Sequence, residues 1–240
     1  MSTELQQPAA TPDPSDYSVP WTIFDTWLGV VMLALIDAIL LITTLRGSSA
    51  SRAEFAQSAA VILLELAYLL PVLLIFASKR IHWKHLGFRK FELNVMGLGC
   101  GLLIGGYAII LLHNLILLGL GIDTQGEAIL QLMEMLESPV WFFLVAVVVA
   151  PFVEEIFFRG FLFQGFRQKY GWVRAMLLSS VIFAVAHLDP ASLIPTFILG
   201  LVLTYIYQRS NSLWPGIILH FLVNASSLCA VFASTRLPPL

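Results

Sequence analysis

Residues 151–160, PFVEEIFFRG, place two adjacent carboxylates and an arginine in an otherwise apolar part of the chain. The stretch before them, residues 140–150, carries no charge. Ionisable groups at membrane depth are costly and are tolerated mainly when they are paired or face a cavity. On a helix, residues i and i+4 share a face, whereas i and i+1 diverge by about 100°. Glu155 is therefore predicted to pair with Arg159, which leaves Glu154 pointing elsewhere and free for chemistry.

The composition around this stretch is that of a membrane protein. Hydrophobic residues make up 58% of the 240 and charged residues 12%, with a mean hydropathy of +0.86. Soluble domains usually carry about 25% charged residues. Helices crossing a bilayer need about 20 apolar residues each and satisfy all of their own backbone hydrogen bonds. We expect an all-α polytopic protein whose partner is the lipid bilayer. The net charge of −2 does not favour nucleic acid.

Seven apolar runs are predicted to span the membrane: 23–45, 56–77, 95–120, 140–168, 173–188, 192–207 and 214–233. Residues 1–20 are proline-rich and predict a disordered tail. Residues 21–90 form two spans and a basic connector, and 91–235 form the core. Pro151 predicts a kink in the fourth span. Residues 122–139 are typical of a loop with a short interfacial helix.

Several polar and small residues in the first three spans are assigned structural roles. The intramembrane acids are expected to make interhelical hydrogen bonds or to mark helix ends: Asp25, Asp37 and Glu65. A glycine every fourth residue predicts a smooth face for close helix packing, formed by Gly97, Gly101 and Gly105.

Basic residues predict the orientation. The connector 79–92 carries five Lys or Arg and the turn near 167–174 carries three, whereas the loops at 122–139 and 189–191 carry none. Because basic loops stay in the cytoplasm, we expect a multi-pass protein of the cell membrane with a cytoplasmic N-terminus. Arg46 and Arg52 favour the opposite orientation weakly.

Polar outliers in later spans are candidates to join Glu154. His187 ends the fifth span, and His220 and Asn224 share a face of the seventh, at i and i+4. Measured from a turn near Tyr170 at 1.5 Å per residue, Glu154 and His187 both lie about 25 Å deep. His220 starts shallower, and tilt or a displaced loop must close a gap of roughly 10 Å for it to reach Glu154.

Two chemistries are open to such a group. The carboxylate can act as general base on water, with histidine and asparagine donors stabilising an oxyanion. Alternatively Glu154, His187 and His220 can ligate a divalent metal, such as zinc, that activates the water. Each residue alone is more easily explained as a satisfied polar group that holds helices together. The three motifs in this order, Glu-Glu-x-x-x-Arg, Phe-x-x-x-His and His-x-x-x-Asn, favour hydrolysis.

These three motifs resemble the CAAX prenyl endopeptidase and bacteriocin-processing family of intramembrane proteases, which includes the Ras-converting enzymes. The resemblance covers roughly residues 90–230, with no motif substituted. It implies a bundle of seven to eight transmembrane helices with a polar cavity open toward the cytoplasm. It also implies that Glu154 and His187 activate water, and that His220 and Asn224 bind the oxyanion or assist coordination. Glu155, Arg159 and Phe183 would support them. Members are described both as metalloproteases and as glutamate proteases.

The resemblance implies an intramembrane endopeptidase that cuts a peptide near the cytoplasmic face. The substrate would be a prenylated C-terminus of the CAAX type, or a leader or bacteriocin-type peptide. The alternative is a non-catalytic membrane immunity or scaffold protein that uses the same helix bundle. An ion-coupled transporter is disfavoured, because the sequence has no internal repeat of the kind many transporters show.

Overall fold

The computed structural model describes residues 18–46, 63, 65–124, 126, 129 and 139–234. These residues form helices and connecting turns, with no strand among them, as the all-α prediction requires. Most of the predicted tail 1–20 and most of the predicted interfacial segment 122–139 lie outside the described residues.

Seven helices correspond to the seven predicted spans within this part of the chain. We number them α1 to α7: Ile23–Arg46, Leu70–Lys79, Asn94–Gly119, the composite helix 139–170, Trp172–Ala186, Leu193–Ser210 and Leu213–Ser234. Short 3-10 turns lie at Trp83–Leu86 and Pro190–Ser192. By length and apolar composition, three described helices are able to cross a membrane: Asn94–Gly119, Pro190–Ser210 and Leu213–Ala233.

Helix α4 is irregular, and its wide turns surround the quoted stretch. Its consecutive segments are Pro139–Leu144, the π segment Val145–Val149, Ala150–Glu154, a second π segment Glu155–Phe163, and Gln164–Tyr170. The Ala150 amide donates to the carbonyl of Val145, five residues back. With the same five-residue spacing, the next hydrogen bond would run from residue 151 to the carbonyl of Ala146. Because Pro151 has no amide hydrogen, that carbonyl is left without a backbone donor. A π segment thus precedes Pro151, at the place where the sequence predicted a kink.

The core lies around the second half of α4. Its aromatic side chains are almost completely buried, and they are Phe157, Phe158, Phe161, Phe163 and Phe166. Helix α3, by contrast, presents many exposed apolar side chains, among them Ile104 and Leu111. Exposed apolar surface on this scale is expected where lipid replaces water as the solvent.

The glycine face predicted on α3 is not the one that packs. Among the described residues, a β-carbon at Gly97, Gly101 or Gly105 would meet nothing within 4 Å. Gly99 and Gly106 lie against neighbouring helices instead, where a β-carbon would collide with Leu219 and touch Ile198 respectively. The four-residue spacing identified a small-residue helix but assigned the contact to the wrong side of it.

The connector after α2 folds into the bundle at Leu86 and Gly87. Leu86 is fully buried, and its carbonyl accepts from the Tyr207 hydroxyl at 3.0 Å. Gly87 has a φ of 99°, a left-handed conformation that favours glycine, and its carbonyl accepts from the Leu213 amide at 2.8 Å. A β-carbon on Gly160 of α4 would lie 3.2 Å from the Leu86 carbonyl oxygen. The connector thus joins α4, α6 and α7 at one depth.

The ends of α1, α2 and α4 meet on one side of the bundle. The Val19 amide donates to Gln168 at 2.6 Å, and Lys79 pairs with Asp25 at 2.5 Å. This contact confirms the structural role expected for Asp25. The chain entering α1 therefore lies on the same side as the basic connector, and its cytoplasmic location stays a prediction.

Candidate functional site

Glu155 and Arg159 form a buried ion pair on α4. Arg159 Nη1 lies 2.7 Å from Glu155 Oε1, and neither residue has exposed surface. The second guanidinium nitrogen donates to the Gly200 carbonyl at 3.3 Å. The guanidinium also lies over the ring of Phe183, 4.5 Å from its centroid, a favourable cation–π contact. The ion pair predicted from the four-residue spacing is confirmed.

His220 lies between the two glutamates. Its Nδ1 is 3.2 Å from Glu155 Oε1, and its Nε2 is 3.6 Å from Glu154 Oε2. Gly216, one turn earlier on α7, allows this approach, since a β-carbon there would lie 2.7 Å from Glu155 Oε2. The imidazole is almost fully buried. Helix α7 therefore brings its histidine directly to the motif on α4.

The gap of roughly 10 Å that follows from counting residues is closed in the structure, as the prediction required. That estimate placed both turns at the depth of Tyr170, whereas α7 begins at the depth of Gly160, where the connector holds it. Glu154 lies six residues from Gly160, and His220 lies seven residues from Leu213. At 1.5 Å per residue these distances are about 9 and 10 Å, so the two side chains reach one level.

Glu154 faces a cavity. Its Oε2 is buried and has no hydrogen-bond partner among the described residues. The cavity has a volume of about 170 Å³ and is lined by Glu65, Tyr68, Glu154, Phe158, Ala186 and His187. A single water occupies about 30 Å³ in the liquid, so this space admits several. The face of α4 that carries Glu154 is thus available to water.

His187 lies at the end of α5, on the wall of the same cavity. Its Nδ1 is 2.8 Å from the Phe183 carbonyl oxygen. Since a carbonyl only accepts, Nδ1 carries the hydrogen in this contact, and a neutral ring then has an unshared pair on Nε2. Phe183 is fully buried against both imidazoles, with centroids 4.8 Å from His187 and 5.8 Å from His220. It therefore holds the two histidines and Arg159 around one ring.

Asn224 is placed differently from the other motif residues. Its side-chain nitrogen donates to the Ala146 carbonyl at 2.8 Å, and Asn224 is not among the residues lining the cavity. Ala146 is the position whose carbonyl Pro151 leaves without a backbone donor. The amide thus satisfies an irregularity of α4, and the oxyanion role expected from the sequence stays a prediction.

Glu65 and Tyr68 were not assigned to the site from the sequence. Both line the cavity, three residues apart and just before α2. The Tyr68 hydroxyl donates to Asp37 at 2.7 Å, so the interhelical bond expected for Asp37 is confirmed. Glu65 Oε1 is buried without a hydrogen-bond partner in the described part of the chain. The signal available in the sequence was the pairing of Glu65 with a tyrosine on the same face, one turn away.

The proposed metal ligands do not form a ready metal site. Within the described residues, no group of three or more His, Cys, Asp or Glu side chains is arranged to hold an ion. His220 directs its Nδ1 to Glu155, and His187 directs its Nδ1 to a backbone carbonyl. The donor set of the described residues therefore does not fit a metal in this arrangement.

Comparisons with known proteins show what this region of the chain is similar to. Residues 136–226 match the family model for type II CAAX prenyl endopeptidase Rce1-like proteins. The chain is 29% identical over 104 residues to a Bacillus subtilis protein named "Putative membrane peptidase YdiL", covering 43% of each chain. It is 33% identical over 78 residues to the UPF0177 protein YxdF of Lactococcus lactis, covering 32% of this chain and 42% of that protein. The matches thus span about two fifths of these curated relatives. No solved structure gives a significant match.

Proposed function

Because the chain is an all-α membrane protein with an Rce1-like domain, we propose that it is an intramembrane endopeptidase. Its substrate would be a peptide, of the prenylated CAAX type or of the leader or bacteriocin type, cut near the cytoplasmic membrane face. The family model and a relative named as a membrane peptidase support the protease class.

One observation carries the proposal. The Oε2 of Glu154 is buried, has no hydrogen-bond partner among the described residues and lies 3.6 Å from His220 Nε2, and Glu154 faces a cavity that also contains a histidine. A carboxylate that only held helices together would have its oxygens satisfied, as buried polar groups usually do. An unpartnered acid beside a histidine is instead typical of a catalytic group.

In the proposed mechanism, Glu154 and His187 hold the attacking water. The unshared pair on His187 Nε2 accepts one hydrogen of the water, and the Glu154 carboxylate accepts the other. As the oxygen attacks the scissile carbonyl carbon, the second proton moves to Glu154. Positioned general bases of this kind contribute about 10²–10⁴-fold.

His220 then carries the proton onward. Its Nδ1 is held by Glu155, so Nε2 is the nitrogen that exchanges a proton with Glu154. Protonation of Nε2 makes an imidazolium beside the developing oxyanion, and the Glu155 carboxylate stabilises that cation. When the C–N bond breaks, the proton moves from Nε2 to the leaving amine. The imidazole and Glu154 thereby return to their starting states after the acid product leaves.

The test compares membranes that contain the wild-type chain, Glu154→Gln, or the matched control Asp123→Asn, which alters an exposed acid after α3. Peptide termini are quantified by mass spectrometry after incubation with a farnesylated CAAX peptide and, separately, with endogenous membrane peptides. We expect a product with the wild type and the control but none with Glu154→Gln. Equal products from all three would show that Glu154 is not the base, and no product from any of them would support the immunity or scaffold alternative.

A further inference from the structure

Glu65 is directed into the cavity by a break in the second span. The Tyr68 amide donates to the Glu65 carbonyl at 3.1 Å, and the Leu69 amide donates to the Leu66 carbonyl at 3.0 Å, both three residues back. Pro71 stands at the start of α2 and cannot donate to Ala67. The backbone hydrogen bonds therefore change here from a four-residue to a three-residue spacing. The second span, which was predicted as one continuous helix, is interrupted beside the cavity.

Tyr68 and Asp37 fix this turn. The Tyr68 hydroxyl donates its hydrogen to Asp37 on α1, and the Tyr68 side chain lines the cavity. Glu65 lies three residues before Tyr68, on the same face, and lines the same cavity. The Asp37–Tyr68 bond is thus a support that keeps the Glu65 carboxyl opposite Glu154.

The groups around Glu65 favour its protonated form. Asp37 and Glu154 face it from α1 and α4, and both are acids. His187 faces the cavity from α5 as a neutral ring when its Nδ1 donates to Phe183. No Lys or Arg forms an ion pair with Glu65 among the described residues. Two carboxyl groups sharing a low-dielectric cavity do not both ionise readily. Glu154 lies on the helix that carries Arg159, and His220 Nε2 is 3.6 Å from its Oε2, whereas Glu65 makes no such contact among the described residues. The proton is therefore assigned to Glu65.

A protonated carboxyl is a hydrogen-bond donor, and the proposed reaction needs one. The oxyanion of the tetrahedral intermediate requires donors placed before the reaction begins. Asn224 has already used one amide hydrogen on Ala146 and does not line the cavity. Among the lining residues of the cavity, Glu65 has an unpartnered buried oxygen on the wall supplied by the second span.

We propose that Glu65 is a further catalytic residue, which in its acid form donates a hydrogen bond to the oxyanion of the scissile carbonyl. This role deepens the proposed function and rests on it. It assigns opposite protonation states to two glutamates in one cavity, with Glu154 accepting a proton and Glu65 keeping one.

Substitutions at Glu65 distinguish a donor from a base. Full-length variants in nanodiscs are assayed with a quenched-fluorescent farnesylated CAAX peptide. Glu65→Leu removes the donor and should lower kcat about 10²-fold with little change in KM. Glu65→Gln keeps an N–H donor of similar shape and should lose only about tenfold. Equal loss in both variants, or a loss in Glu65→Gln as large as in Glu154→Gln, would overturn the donor role.

An infrared measurement tests the protonation state without any turnover. The difference spectrum of wild type minus Glu65→Gln at neutral pH should contain the carbonyl band of a protonated carboxyl. The corresponding difference for Glu154→Gln should lack that band. A carboxylate band lost in Glu65→Gln would overturn the proposal even if the protein is an active protease. Conversely, the wild type could fail to cut the peptide although the acid band is present. The proposed function would then be wrong, and the catalytic role of Glu65 with it, although Glu65 is protonated.

Discussion

Glu154 and Glu155 are neighbours in the sequence, yet they occupy different environments. Glu155 is fully buried and contacts Arg159 and His220, both within 3.2 Å. Glu154 has a buried oxygen without a hydrogen-bond partner in the described part of the chain and faces a cavity. The second π segment begins at Glu155, between the two side chains. The difference shows that one helical step is enough to separate an acid that supports the site from an acid available for chemistry.

The largest expected effect comes from Glu154→Gln. This change keeps shape and removes the base, so peptide hydrolysis should fall to the background rate, a loss of at least about 10²–10⁴-fold. Thermal unfolding in detergent should be nearly unchanged, because Glu154 has no ion pair with a Lys or Arg of the described residues to lose. Full activity in the purified variant would contradict the division between the two glutamates.

Glu155→Ala should act on stability instead. It leaves the buried Arg159 without its anion, at an expected cost of about 3–5 kcal/mol in the free energy of unfolding. Expression level and thermal denaturation would report this loss. The double variant Glu155→Leu with Arg159→Met removes both charges and should be less destabilised than the single variant. A stable but inactive Glu155→Ala would mean that the two roles are reversed.

A smaller effect is expected for Asn224→Ala. Loss of its amide leaves the Ala146 carbonyl unsatisfied, which costs about 1–3 kcal/mol. Pro151→Ala supplies a backbone amide near that carbonyl, so a double-mutant cycle should show coupling between the two positions. If Asn224→Ala instead keeps its stability and loses about 10²-fold in kcat, the oxyanion role predicted from the sequence is the correct one.

Chelation should have the smallest effect. Because the described side chains do not form a three-ligand metal site, we expect phenanthroline to leave the rate of wild-type hydrolysis nearly intact. Its matched control is the non-chelating phenanthroline isomer at the same concentration. Selective loss of activity with the chelator, restored by zinc, would favour the metal alternative and change the assignment of Glu154 from base to ligand.

The sequence predicted the bundle and the separation of the two glutamates because both depend on short-range periodicity. Apolar runs defined the helices, and the four-residue spacing identified the Glu155–Arg159 pair. It did not predict the depth of His220, since that depends on the long-range contact between Leu86 and Gly160. Nor did it identify Glu65, whose direction depends on the turn before Pro71 and on Asp37, which lies far away in the sequence.

The buried connector has a consequence for the chain lengths that this protein can tolerate. Leu86 and Gly87 hold Gly160 and Leu213 at the same depth in the bundle. Glu154 and His220 therefore meet only because the helical intervals 154–160 and 213–220 have matching lengths. One residue inserted in either interval would shift Glu154 or His220 along its helix by about 1.5 Å and rotate it by about 100°. Glu154 and His220 would then no longer meet, although each helix would still be long enough for its membrane. Insertions are therefore expected to be excluded from these two short intervals, even though neither interval contains a loop.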